Sequence, residues 1–492
     1  MMRRTISLAT MMALSACTME PHFDRPKPLV PPGWPVGDAY LRQNEAALPS
    51  VTWRDVFKDP NLQAIIGQAL ANNQDLAIAL ANVASARAQA RVQRAALFPQ
   101  IDANAGVTER RNSSNGTSNG GTGANGRTTT TYEIQGGTSA WEVDLFGRLR
   151  SLSHAAFATY LGQEAAARAA RLTLVAGVAN AYLQYAADRS LLATAIDTEK
   201  SAQNSVSLTR SRLDGGVAPR SDLRQAETVL ATAQADKASL IAQVAQDRNA
   251  LELLVGAPVA ETLLPQGIEM VDGMLGQVPA GLDSTILLRR PDVVQAEYEL
   301  RSANARIGAA RAAFFPNISL TGLAGLSSTA LSSLFTGGAF TWTVAPSASL
   351  PIFDGGANAG NLAYARAQRD LALATYQKAI QSAFRDVADA LARAGTIDDE
   401  LAADRLNLAA ADDDFTLSQA RYREGIEPYL TTLDAQRTLY GARRTLSAAR
   451  LIKAQNLVAT YRALGGDQLL ADLPGSDAAN STLATQKVGG DR

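Results

Sequence analysis

The sequence predicts an α+β membrane protein in which long helices alternate with four short β-strands. Three observations predict this fold class: an internal two-fold repeat, long helical stretches without proline, and four segments in which apolar residues occupy alternate positions. Apolar residues make up 46% of the chain but aromatic residues only 6%, which favours helices packed closely through small side chains. A packed core can therefore form, and global disorder is excluded.

An ordered set of residues occurs in both halves of the chain. One block, at a spacing of 217 residues, pairs Asp75, Ala79, Phe98 and Pro99 with Asp292, Ala296, Phe315 and Pro316. A second block, at a spacing of 209 residues, pairs Arg212, Gly216, Pro219 and Gly256 with Arg421, Gly425, Pro428 and Gly465. The repeat predicts two structurally similar halves, residues 53–270 and 271–466, followed by a polar tail at 467–492.

Each half is predicted to contain a long helical hairpin. Residues 148–214 contain no proline and residues 220–255 contain neither glycine nor proline, and Gly215-Gly216 marks the turn between them. The repeat therefore predicts hairpins at about 148–256 and about 357–464. Helices of this length exceed what a compact core can bury, so they must pack side by side along their lengths.

Four segments have the period-two pattern of β-strands, and they predict β-hairpins at about 100–145 and about 317–353. In the second half the alternating residues are Ile318, Leu320, Ala324 and Leu326, then Phe340, Trp342, Val344 and Ala348. Alternation over about 9–11 residues is typical of transmembrane strands, with soluble hairpins as the alternative. In hydrocarbon, four strands cannot close a barrel, and an open edge leaves N–H and C=O groups unpaired. If these strands cross a membrane, several copies must therefore share one barrel.

The first residues have the features of a secretory signal. Two arginines precede an apolar run from Ile6 to Leu14, which is far shorter than the roughly 20 residues of a membrane-spanning helix. The predicted signal peptide, residues 1–16, ends at Cys17 in a sequence similar to the bacterial lipoprotein processing box. Cleavage there would leave acyl chains on Cys17 and a proline-rich strap over residues 17–52. An ordinary signal peptide is the alternative interpretation.

Composition excludes several classes of function. Lys and Arg number 46 against 47 Asp and Glu, so the net charge of −1 gives no electrostatic reason to bind nucleic acid. The single cysteine excludes a disulfide framework and a multi-thiolate metal site. Two histidines, His22 and His154, leave little material for histidine-based catalysis. The sequence therefore predicts no enzyme, no cofactor and no metal site.

Three blocks of residues resemble the TolC-type outer-membrane efflux channel family, nearest its OprM-like lipoprotein subgroup. The first contains Trp53, Phe57, Asp59-Pro60, Asn73 and Asp75-Leu76. The second contains Arg290-Pro291-Asp292-Val293, Ala296-Glu297, Ile307-Gly308 and Phe315-Pro316. The third contains Tyr422, Gly425, Tyr429-Leu430, Leu433-Asp434-Ala435-Gln436-Arg437 and Ala463-Leu464-Gly465-Gly466. Together the blocks extend over most of the chain.

The resemblance implies a homotrimer in which four strands from each protomer form one 12-stranded outer-membrane β-barrel, continuing into a long periplasmic α-helical barrel. It implies a passive exit duct for drugs or other small molecules, with a periplasmic membrane-fusion adaptor and an inner-membrane pump of the resistance-nodulation-division (RND) type as partners. Thr18, which follows Cys17, fits lipid anchoring in the outer membrane. The alternative is a periplasmic coiled-coil adaptor or structural lipoprotein without a membrane barrel.

The resemblance also assigns a periplasmic gate. Leu430 matches an apolar plug, Asp434 a carboxylate that symmetry would repeat as a ring, and Arg437 is the candidate ion-pair latch. A solvated helix residue is the alternative for Asp434. Three converging carboxylates repel one another unless they are hydrated, protonated or bridged by cations, so such a ring can select ions and switch.

Residues near the two helical turns complete the predicted site. Asp222 and Tyr422 match positions that link neighbouring helices in the closed state. Glu427 and Thr431 stand where the TolC type has an arginine and a second aspartate, so the closing network is expected to differ. The turn residues predicted to contact an adaptor, with plain helix turns as the alternative, are Gly216, Val217, Ala218, Pro219, Gly425, Ile426 and Pro428.

Overall fold

The computed structural model describes residues 18–31, 33–35, 52–111, 128–271 and 284–466. The predicted signal peptide at 1–16, the predicted lipidation site Cys17, most of the second half of the strap and the tail at 467–492 lie outside these described residues.

Three helices begin the first half, and polar side chains set their ends. They are α1 (Trp53–Val56), α2 (Pro60–Asn72) and α3 (Gln74–Ala95). Pro60 occupies the first turn of α2, and the Asp59 carboxylate accepts a hydrogen bond from the Asn61 N–H at 3.0 Å. Between α2 and α3, Asn73 Oδ1 accepts a hydrogen bond from the Leu76 N–H at 2.9 Å. The chain therefore changes direction without leaving these helix N–H groups unpaired.

Four long helices form two helical hairpins among the described residues. The first hairpin consists of α4 (Arg148–Asp214) and α5 (Arg220–Val255). In the second half, α6 (Pro291–Ala312) precedes a hairpin of α7 (Ala357–Arg423) and α8 (Tyr429–Ala463). Short 3₁₀ turns lie at Glu261–Leu263, Ile268–Val271, Ser284–Arg289 and Leu331–Ser333. Among the described helices, none has a stretch long and apolar enough to cross a bilayer.

The four strands form one antiparallel sheet in the order β1-β2-β3-β4. They are β1 (Asp102–Arg111), β2 (Thr128–Glu142), β3 (Asn317–Ser328) and β4 (Phe340–Ser349). Strands β2 and β3 pair with Tyr132 opposite Ser328, so the hairpins of the two sequence halves join in a single sheet. Within the described residues, β1 and β4 each have one neighbouring strand, and the sheet is open at both edges.

The chain packs into two units, each of which takes segments from both sequence halves. The sheet unit comprises the N-terminal residues through Pro26 together with Val83–Gln163 and Ala296–Tyr376. The hairpin unit comprises Lys27–Asn82, Glu164–Gln295 and Gln377–Arg492.

The largest apolar core of the hairpin unit joins the first helices to the long ones. Phe57, at the end of α1, packs edge-to-face against Tyr461 of α8 with ring centroids 5.6 Å apart. Tyr182 of α4 is buried, and its hydroxyl donates a hydrogen bond to Asp59 Oδ2 at 2.7 Å. Burial, the Asp59 hydrogen bond and the Asp59 charge raise the pKa of Tyr182 far above its ordinary value. The tyrosine therefore stays protonated and keeps α1 and α2 attached to α4.

The described beginning of the strap lies against α4 and α6 in the sheet unit. Glu20 Oε2 lies 2.8 Å from His154 Nδ1, and Asn304 Nδ2 donates a hydrogen bond to the Pro21 carbonyl oxygen at 2.8 Å. Residues 18–26 contain no helix or strand, as their prolines predict. The segment is held by side chains of two helices.

Candidate functional site

The turn between α4 and α5 and the turn between α7 and α8 have the same backbone geometry. Gly216 and Gly425 have φ values of 73° and 79°, in the left-handed region that glycine adopts most readily. In the first turn the Val217 N–H donates a hydrogen bond to the Arg212 carbonyl oxygen at 2.9 Å. In the second turn the Ile426 N–H donates one to the Arg421 carbonyl oxygen at 2.8 Å. This is the Schellman pattern, which ends a helix, and Pro219 and Pro428 then precede the next helix.

The predicted adaptor-contacting residues lie at the surface of these turns. Val217 is 66% exposed and Ile426 is 65% exposed, although both are aliphatic. Gly216, Gly425 and the two prolines beside them are exposed as well, and Ala218 is half-buried. Each turn thus presents one large apolar side chain next to accessible backbone.

Beneath the turns, a small core that we call the turn cluster joins the two hairpins. It consists of Ala226 from α5, Tyr422 from α7, and Tyr429 and Leu433 from α8, with Val206 and Leu208 of α4 packed against it. The two tyrosine rings lie 5.3 Å apart. Burial, together with the neighbouring Tyr422, raises the pKa of Tyr429 to about 12, so this tyrosine is neutral at physiological pH.

Of the three predicted linking residues, Tyr422 contacts the other hairpin. Its hydroxyl lies 3.1 Å from Thr209 Oγ1 on α4, and both side chains are buried. Asp222 accepts a hydrogen bond from the neighbouring Ser221 hydroxyl at 3.3 Å. Glu427 Oε1 forms an ion pair with Arg421 Nε at 3.0 Å. Asp222 and Glu427 therefore make these contacts within their own turns.

The predicted gate residues lie on one exposed face of α8. Leu430, Asp434 and Arg437 are four and three positions apart, which places them on the same side of a helix. Asp434 Oδ1 and Arg437 Nη1 form an ion pair at 3.8 Å, and both side chains are about two-thirds exposed. A solvated pair on a single helix contributes little to stability, so these side chains are free to meet other charges.

Sequence reasoning did not single out Arg212 of α4 as a site residue. Its Nη1 donates a hydrogen bond to the Tyr422 carbonyl oxygen at 2.7 Å. The centre of its guanidinium group also lies 4.8 Å from the centroid of the Tyr422 ring, within range of a cation–π interaction. The signal that could have found Arg212 was the internal repeat, which pairs it with Arg421.

A cavity of about 170 Å³ lies beside this site in the hairpin unit. It is lined by Thr198, Asp236, Gln436, Arg437 and Tyr440, among others. Tyr440 donates a hydrogen bond to Asp236 Oδ2 at 2.9 Å. Across the described residues, no three acidic, histidine or cysteine side chains are grouped as metal ligands would be.

In the sheet unit, β4 presents apolar side chains on one exposed face. Phe340, Trp342 and Val344 alternate with threonines and are each at least 60% exposed. Ile352 and Phe353, shortly after β4, are almost fully exposed at 96% and 91%. Large apolar residues are rarely exposed in such a group on a soluble monomer, so this surface needs a lipid or protein partner.

Comparison with known proteins identifies the family. A profile described as outer membrane efflux protein matches residues 65–257 and 282–466, most of each half. The chain belongs to this family. It is 42% identical over 469 residues to the probable efflux pump outer membrane protein TtgC of Pseudomonas putida, covering 95% of this chain and 96% of the relative. The family predicted from the sequence is therefore confirmed.

Solved structures of the family have the same fold. A membrane protein from Pseudomonas aeruginosa is 36% identical with a TM-score of 0.82, over 92% of this chain and 98% of its own. The outer membrane channel MtrE of Neisseria gonorrhoeae, in its open state, is 35% identical with a TM-score of 0.79. The match covers 92% of this chain and 98% of the MtrE chain. Since the match extends over nearly the whole of both chains, the similarity includes the sheet and both hairpins.

Proposed function

We propose that this chain forms the outer-membrane exit duct of a tripartite efflux system. The observation that carries the proposal is the open four-stranded sheet with an apolar exposed face on its edge strand β4. Lipid suits that face, but hydrocarbon does not tolerate free strand edges. The sheet is therefore complete only when copies pair edge to edge. TtgC and MtrE, an efflux pump outer membrane protein and an outer membrane channel by name, support the same role.

In this proposal three copies contribute four strands each to a 12-stranded barrel. The long helical hairpins of the three copies then form a helical barrel in the periplasm, and Cys17 carries the lipid anchor in the outer membrane. A periplasmic adaptor contacts the exposed turn residues, and an inner-membrane pump of the RND type supplies the energy. The duct itself performs no chemistry.

The gate in this proposal is built from the exposed face of α8. Three-fold symmetry brings three Asp434 carboxylates and three Leu430 side chains towards one axis, with Arg437 available to neutralise a neighbouring charge. Like charges in a narrow pore repel one another unless they are hydrated or bridged, so such a ring controls ion passage.

Assembly and conductance test the proposed duct. The full-length processed protein, purified in detergent, is expected to run as a trimer by native mass spectrometry and to form conducting pores in planar bilayers. A monomer that stays soluble without detergent after delipidation, and that forms no pores, would instead support the periplasmic adaptor or structural lipoprotein.

Gate variants test the role of α8. Asp434→Ala and Arg437→Ala are each expected to raise single-channel conductance and to increase leakage of large antibiotics into cells, because each removes a charge from the constriction. Asp413→Asn, which changes an exposed carboxylate elsewhere on the long helices, is the control. Wild-type conductance in both gate variants would remove this assignment.

A further inference from the structure

The two turns differ in where an equivalent arginine points. Arg212 and Arg421 are equivalent in the repeat, and both supply the carbonyl oxygen that closes the Schellman turn. Arg421 is paired with Glu427 in its own turn, at 3.0 Å. Arg212 instead crosses to the other hairpin and reaches the Tyr422 carbonyl oxygen at 2.7 Å. Nearly identical backbones therefore carry two different side-chain contacts.

Two sequence differences between the halves explain this divergence. The position equivalent to Glu427 in the first turn is Ala218, so Arg212 has no acidic partner at that position of its own turn. The position equivalent to Tyr422 is Leu213, whose side chain has neither a hydroxyl group nor an aromatic ring with which a cation could interact. The second half thus neutralises its own arginine and supplies the aromatic ring that the other arginine contacts.

The Arg212 contact is well placed to hold the hairpins together. Tyr422 is only 3% exposed, and it receives the Arg212 hydrogen bond, the cation–π contact and the Thr209 hydroxyl contact at 3.1 Å. A Cβ on Gly425 would lie 3.5 Å from Arg212 Nη2, so the guanidinium rests directly on the second turn. A planar guanidinium can make the hydrogen bond and the ring contact at the same time, which an ammonium group does less well.

We propose that Arg212 is a positioning residue that fastens the first hairpin to the second and so keeps the channel closed. Glu427 holds Arg421 within the second turn, and Arg212 supplies the link between the hairpins from the opposite side. This inference rests on the proposed gated duct. Opening then requires Tyr422 to leave Arg212 and Thr209 as the end of α7 moves away from α4.

The test compares equivalent arginines in the full-length trimer in planar bilayers. Arg212→Ala is expected to raise the open probability about tenfold, because it removes a charge-assisted hydrogen bond and a ring contact together. Arg421→Ala removes the same charge from the equivalent position of the other turn and is expected to gate like the wild type. Arg212→Lys, which keeps the charge, is expected to fall between the two.

A second variant tests the contact while keeping Arg212 itself. Ala218→Glu gives the first turn the acid that Glu427 provides in the second, so Arg212 is expected to fold back and the open probability to rise. A conducting wild type with unchanged gating in Arg212→Ala and Ala218→Glu trimers would overturn the inference. A wild type that forms no trimer and no pore would overturn the proposed duct itself.

Discussion

Two acidic side chains meet inside the first hairpin of the hairpin unit. Asp188 of α4 and Asp247 of α5 are both more than nine-tenths buried. Each accepts a hydrogen bond from a glutamine on its own helix, from Gln184 at 2.9 Å and from Gln243 at 3.0 Å. Burial and the adjacent Asp188 raise the pKa of Asp247 to about 6. The protonated form of Asp247 is therefore favoured in the folded hairpin.

This pair predicts a dependence of stability on pH. Because the pKa of Asp247 is higher in the folded than in the unfolded state, its stabilising contribution is complete at low pH and is lost as pH rises through about 6. The detergent-solubilised trimer is therefore expected to unfold at a higher temperature at about pH 5 than at about pH 7.5, by calorimetry. Asp247→Asn should flatten that difference, and Asp413→Asn should retain it. An unchanged pH profile in Asp247→Asn would contradict the raised pKa of Asp247.

At the scale of elements, a glycine in α6 lets the N-terminal strap lie against the helices. A Cβ on Gly308 would lie 2.7 Å from Glu20 Cα and 2.6 Å from Ser151 Oγ, closer than real Cβ contacts allow. Glycine inside a helix costs about 1 kcal/mol relative to alanine, so its presence indicates a packing reason. The strap contact supplies that reason and ties the residues next to the predicted lipidation site to α4 and α6.

Gly308→Ala is therefore expected to dislodge the strap. Overpacking of this kind lowers the free energy of unfolding by about 1–3 kcal/mol, and hydrogen exchange over residues 18–26 should become faster. Gly360→Ala is the matched control, because a Cβ there meets no atom within 4 Å and alanine favours the helix. Equal exchange rates in the two variants would show that the strap does not depend on this contact.

At the scale of the whole molecule, the open sheet requires that more than one copy assemble if it lies in a bilayer. Strands β1 and β4 each lack a second neighbour within the described residues, while β2 and β3 join the two halves in the middle. Free edges pair readily with other strands, and bilayer hydrocarbon makes that pairing obligatory. This requirement explains why copies assemble in the proposed trimer, with β4 of one copy beside β1 of the next.

A lysine is expected to have different effects on the two faces of β4. Val344→Lys places a charge on the apolar face and is expected to reduce barrel insertion by roughly 2–4 kcal/mol near the bilayer centre. Thr343→Lys places the charge on the opposite face, towards the proposed lumen, and should be tolerated. Folding of each variant into lipid vesicles, measured by heat-modifiable gel mobility, checks this. Equal losses in both variants would contradict the proposed lipid and lumen faces.

The candidate site was predictable in part. Tyr422 and the α8 residues Leu430, Asp434 and Arg437 were named from sequence, and the structure places Tyr422 between the hairpins and the other three on one exposed face. Arg212 was not named, because its neighbouring sequence shows only that it lacks the acidic partner that Glu427 provides to Arg421. The residue that Arg212 contacts instead, Tyr422, lies 210 positions away along the chain, which local patterns do not report.

The sequence by itself determined where the long helices and their turns lie, because proline, glycine and apolar periodicity act on the backbone within a few residues. It also determined that there are two equivalent halves. Only the tertiary structure decided that β2 pairs with β3 across those halves and that Arg212 rests on Tyr422. Those outcomes depend on which distant segments come into contact, and near-identical turns then acquire different partners.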